Sequence, residues 1–147
     1  MFLEDDYLTE IEPEPTCVAD RPPEHILVID DDATQTEVLS YRFSKHGYRV
    51  SVAHSATEGA AIARADHPDL ILLDIRLPDG DGLEICADFC DSDETAGIPV
   101  IIVSAMDKSD IVRHARAAGC QYYVRKPYDP NALLILAQNA IYDSRDW

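Results

Sequence analysis

Four apolar runs of this 147-residue chain end in side chains able to do chemistry. ILVI leads into Asp30, Asp31 and Asp32, LILL into Asp74, VIIV into Ser104, and YYVR into Lys126. Carboxylates gathered at one pocket repel one another and titrate as a coupled group unless a cation sits among them. Two or three of them, with some water retained, suit the near-octahedral oxygen coordination that magnesium prefers. Taken singly, each residue has a plainer reading. Asp32 with Gln35 three residues on fits a helix capping box. Asp74 could bond loop amides, Lys126 could sit at the surface, and Tyr123 could be core packing. The chemistry therefore depends on a fold that brings these groups to one place.

That fold is legible in the pattern of runs. HILVID, YRVSVA, DLILLDI, PVIIVSA and QYYVRK read as buried strands, and they alternate with amphipathic stretches at 33–46, 57–66, 82–91, 109–118 and 130–142. Five βα units with continuously apolar strands predict a parallel sheet covered by helices on both faces. Gly47 and Gly119 suit helix C′ positions, and Pro68 and Pro99 are placed to stop helices before strands. In such open sheets, ligands bind beyond the carboxyl ends of the strands, near the point where strand order reverses. Strand order 2-1-3-4-5 sets strands 1, 3, 4 and 5 side by side and gathers the polar ends at one mouth.

ILVIDDD, LILLDIRLPDGDG, VIIVSA and YYVRKP, in this order and spacing, resemble the motifs of response-regulator receiver domains. The resemblance covers about residues 25–143 and implies a flavodoxin-like, doubly wound α/β fold with five strands and five helices. It implies Asp74 as phosphoacceptor and Asp30 and Asp31 as metal-binding acids, joined in the metal site by Asp74 and the backbone carbonyl of Arg76. Ser104 matches the hydroxyl that binds the phosphoryl group, Lys126 the lysine, and Tyr123 the aromatic switch. Phosphoryl transfer to a carboxylate brings two anions together, so such a site must neutralise charge and align the attack. Magnesium, with manganese as substitute, is the implied cofactor. The implied protein is a switch that assists its own phosphorylation and dephosphorylation, not a turnover enzyme.

Composition limits the partners. The chain has 28 acidic and 12 basic residues, for a formal charge of −16, which argues against nucleic acid because phosphate contacts need a basic surface. No apolar run reaches the roughly 18 residues of a membrane span. The start, MFLEDDYLTE, has acids where an export signal needs a basic region, so the cytoplasm is the expected location. Cys17, Cys86, Cys90 and Cys120 form no C-x-x-C pair and no zinc spacing; Cys86 and Cys90, four apart on a helix, read as partly buried thiols. Residues 1–24 carry eight acids against Arg21 alone, together with four prolines, and form an expected flexible tail. Residues 25–147 form the expected receiver domain.

Two other functions compete with the receiver reading. Asp30-Asp-Asp32-Ala-Thr34 also fits the D-x-D-x-T motif of a small haloacid-dehalogenase-like phosphatase, with Asp30 as nucleophile and Asp32 as general acid/base. That assignment leaves Asp74 without a role and has little room for a substrate cap. A pseudo-receiver that binds partners without phosphorylation would usually lack an acid or the lysine, and all are present. The segment Pro78–Gly82 fails as a calcium loop, because Leu83 and Cys90 fall where ligands belong; a turn into the third helix suffices. The implied partners are a sensor histidine kinase or histidine phosphotransfer protein and a downstream protein target. A homodimer through the fourth helix, fifth strand and fifth helix is a further expectation. Lys108, Arg113, Arg116 and Arg125 would lie on or near that face, where the acidic tail could fold over them. Arg76 and Met106, which are poor positioners of water, predict slow loss of the phosphoryl group.

Overall fold

The computed structural model describes residues 22–105 and 109–145. Five parallel strands form the main sheet: β1 (His25–Ile29), β2 (Arg49–Ala53), β3 (Leu70–Leu73), β6 (Val100–Ser104) and β7 (Tyr122–Arg125), in the order β2-β1-β3-β6-β7. With the strands of the main sheet counted alone, this is the expected 2-1-3-4-5. Two short strands, β4 (Arg76–Leu77) and β5 (Gly80–Asp81), pair antiparallel in a small hairpin that the run pattern does not reveal. Its strands are two residues each and mostly exposed, too short and polar to carry a hydrophobic period.

Alternation along the central strands divides the core into two layers. Leu27, Ile29, Ile71, Leu73 and Ile102 face α2 (Ala56–Asp66), α3 (Gly82–Asp91) and α4 (Ser109–Ala117). Ile26, Val28, Leu70, Leu72, Ile101 and Val103 face α1 (Ala33–Lys45) and α5 (Pro130–Arg145). Burial on both faces is why β1, β3 and β6 are apolar apart from His25 and Ser104 at their ends, whereas the edge strands β2 and β7 are partly exposed.

Helix ends follow local chemistry with two departures from the sequence reading. Gly47 and Gly119 take positive φ, and the Tyr48 and Cys120 amides bond back to Phe43 and Ala115, closing the ends of α1 and α4. Pro68 follows His67, the C-cap of α2. Pro99 does not stop α3: that helix already ends at Asp91, and the Thr95 hydroxyl bonds the Phe89 carbonyl in the turns between. The expected capping box is only half made. Asp32 accepts from the Thr34 and Gln35 amides, but its own N–H donates to Asp30 Oδ1 and the Gln35 amide oxygen is taken by Tyr128.

Candidate functional site

Strand pairing places the polar groups. Ile29 pairs with Leu73, so Asp30 and Asp74 leave neighbouring strands side by side. Ser104 ends β6, and its carbonyl accepts the Lys126 N–H at 2.8 Å, which brings the residue after β7 to the same edge. Three groups meet closely. Lys126 Nζ lies 2.9 Å from Asp30 Oδ2 and 3.4 Å from Asp74 Oδ2. Asp30 is 6% exposed, and its second oxygen is fixed by the Asp32 amide at 3.0 Å. Asp74 Oδ1 has a longer contact, 3.4 Å, from the Arg76 amide.

Among the described residues, one carboxylate oxygen each from Asp30, Asp31 and Asp74 lie within 4.8 Å of one another, the one cluster of potential metal ligands. Asp30 is buried, Asp74 half-buried and Asp31 exposed, so the cluster opens to solvent on one side. Such an all-oxygen, acidic donor set matches what magnesium takes, with room for water on the open side. Burial raises the Asp74 pKa above the usual carboxylate range; Lys126 opposes this shift and Asp30 adds to it. For Lys126 burial favours the neutral amine, but its bonds to Asp30 and Asp74 outweigh that and raise the pKa. The site therefore holds a firm positive charge beside a carboxylate that resists ionisation.

The other expected residues differ in burial. Ser104 is 1% exposed at the end of β6. Tyr123 is half-buried on β7, opposite Ile102, and packs against the α2, α3 and α4 side of the core. Arg76 is exposed in β4. Met106 and Lys108 lie outside the described residues, as do residues 1–21 of the tail, while Arg113, Arg116 and Arg125 are exposed on α4 and β7. Asp32 is the N-cap of α1, its Oδ1 accepting from the Thr34 and Gln35 amides.

Three supporting residues escaped the sequence reading. A Cβ on Gly82 would collide with the Asp74 carbonyl, so the start of α3 closes directly on the backbone that carries Asp74. Asp79, in the β4–β5 turn, accepts from the Ala56 amide and from the Thr57 amide and hydroxyl, and so caps α2 from outside. These bonds, the Thr57 hydroxyl foremost, pull its pKa down to about 2. Tyr128 donates to Gln35 Oε1 across to α1. The Pro78–Gly82 segment signalled a turn, but nothing in it pointed to a helix more than 20 residues upstream.

A parallel five-stranded sheet of this order, with acids and a lysine at its carboxyl edge, defines a receiver domain. The chain belongs to the response regulator receiver domain family, whose model matches residues 26–138. It is 35% identical over 109 residues to the protein PilH of Pseudomonas aeruginosa, covering 74% of this chain and 90% of PilH. It is 33% identical over 102 residues to the polar-differentiation response regulator DivK of Brucella ovis, covering 69% and 83%. Among solved structures, a CheY-like receiver domain protein from Methanospirillum hungatei superposes with a TM-score of 0.79 at 27% identity, covering 83% of this chain and 96% of that one. Receiver domains are signalling switches of two-component systems, bind magnesium at an acidic pocket, and interact with histidine kinases or phosphotransfer proteins and with downstream targets. No helix among the described residues is long and apolar enough to cross a membrane.

Proposed function

We propose that this chain is a phosphoacceptor switch that takes a phosphoryl group on Asp74 from a phosphohistidine of a sensor kinase or phosphotransfer protein. The observation that carries this reading is the Lys126 ammonium bridging Asp30 and Asp74 beside Asp31. A carboxylate oxygen of Asp74 forms the new P–O bond as the P–N bond to the donor imidazole breaks. Asp30, Asp31, Asp74 and the Arg76 carbonyl would hold magnesium or manganese, which supplies charge neutralisation and alignment when bound. Lys126 offsets the remaining negative charge, and the Ser104 hydroxyl donates to a phosphoryl oxygen. The chain thereby assists its own phosphorylation and dephosphorylation without turning over an external substrate.

The signal is a population shift. Phosphate favours the state in which Ser104 draws toward it and Tyr123 turns inward, changing the face made by α4, β7 and α5. A target protein, or a second copy of the chain, reads that face. A cytoplasmic location fits such partners, and the charge of −16 disfavours nucleic acid. Arg76 cannot accept a proton from water, so intrinsic loss of phosphate is slow and reverse transfer or an external phosphatase resets the switch. Labelling with acetyl phosphate tests the assignment: Asp74→Asn abolishes it, a chelator abolishes it, and Asp31→Asn mainly weakens magnesium binding. Labelling that persists in the Asp74 variant at wild-type strength overturns it.

A further inference from the structure

The hydrogen bonds around Lys126 close into a ring through the first turn of α1. Lys126 Nζ donates to Asp30 Oδ2, Asp30 Oδ1 accepts the Asp32 amide at 3.0 Å, and Asp32 Oδ1 accepts the Gln35 amide at 3.3 Å. The Gln35 side chain then accepts the Tyr128 hydroxyl at 3.1 Å, and Tyr128 is two residues from Lys126 along the chain. Upstream, the Lys126 backbone is tied to β6 by its own N–H on Ser104. Downstream, Pro127 has no N–H to give, so the side chain of Tyr128 supplies a tie on that side. Both ends of the strut line a cleft of about 220 Å³ between α1 and the loop after β7, with Val38, Leu39, Lys126 and Pro127. Tyr128 also lines a smaller pocket together with Asp30, Asp74 and Lys126.

We propose that Tyr128 and Gln35 are positioning residues that hold the Lys126 ammonium between Asp30 and Asp74. The proposal rests on the phosphoacceptor reading above. Lysine has a long, flexible stem, and its charge helps only where it is held. The same ammonium bonds one oxygen each of Asp30 and Asp74, two of the three acids that would hold magnesium. A Lys126 freed by loss of the strut therefore competes less with the cation and assists phosphoryl transfer less. These opposite changes separate a positioning role from general damage to the site, which would weaken both.

Tyr128→Phe keeps the ring and removes the strut. With acetyl phosphate as donor, the variant is expected to lose three- to tenfold in maximal phosphorylation rate, with the half-saturating donor concentration unchanged. Calorimetric titration should show magnesium bound at least as tightly as in the wild type. Gln35→Leu should reproduce both effects, Gln35→Glu, which still accepts the hydroxyl, should restore the rate, and the Gln35→Leu/Tyr128→Phe pair should be no slower than either single variant. Additive losses, an unchanged Tyr128→Phe rate, or weakened magnesium binding would overturn the proposal. If the wild type itself takes no label on Asp74, the phosphoacceptor reading fails instead.

Discussion

Asp74 sits where its charge is costly. Half-buried and beside Asp30, it has a raised pKa, and Lys126 only partly compensates. For a carboxyl with a raised folded pKa, the proton-linked stability is present below the unfolded value and is lost as pH rises through the folded one. The metal-free protein is thus less stable at neutral pH than it would be with a neutral group here. Asp74→Asn should raise the Tm in chelator at pH 7.5 by a few degrees, about 1 kcal/mol. The gain should shrink as pH falls toward the carboxyl range, where Asp74 is protonated in any case. A variant less stable than wild type at pH 7.5 would show that its bonds to Lys126 and the Arg76 amide outweigh its burial. Magnesium titrations should weaken over the same falling pH range, because the cation needs the ionised form.

Helices and the hairpin set the frame in which those residues act. The β4–β5 hairpin ties two helices at once: Asp79 caps α2 from outside, and Asp81 caps α3 through the Leu83 amide. Its folded pKa of about 2 means that the Asp79 tether is present above the ordinary carboxylate value and is lost as pH falls toward about 2. Asp79→Ala should lower the Tm and speed hydrogen exchange at the Ala56 and Thr57 amides, with exchange at the Leu83 amide less changed. Unchanged exchange at Ala56 and Thr57 would contradict the tether. The tight closure of Gly82 on the Asp74 carbonyl belongs to the same frame, since the end of β3 and the start of α3 can only meet so closely without a side chain.

Across the whole molecule, what the sequence announced and what it hid divide along physical lines. Buried parallel strands must be apolar throughout, so ILVI, LILL and VIIV announced themselves, and right-handed crossovers then left few topologies. The acids, Ser104 and Lys126 stood out because they are polar at the ends of such runs. Contacts between distant segments left no trace of that kind. Asp79 reaching Thr57, Tyr128 reaching Gln35, and Gly82 pressed on Asp74 each join residues whose local patterns say nothing of their partner. The half-made capping box at Asp32 has the same origin, since Gln35 was drawn to Tyr128 by the fold. Pro99 ends no helix, because a turn-rich stretch of 92–98 already separates α3 from β6.

The proposed phosphoacceptor is Asp74 and not Asp30, and the two carboxylates sit on either side of one ammonium. Reduction of the acyl phosphate with borohydride converts the phosphorylated aspartate to homoserine, which peptide mass mapping can locate. After treatment with acetyl phosphate and magnesium, homoserine is expected at position 74, and none when a chelator replaces magnesium. Homoserine at position 30, with Asp74 intact, would overturn the assignment of Asp74 as phosphoacceptor.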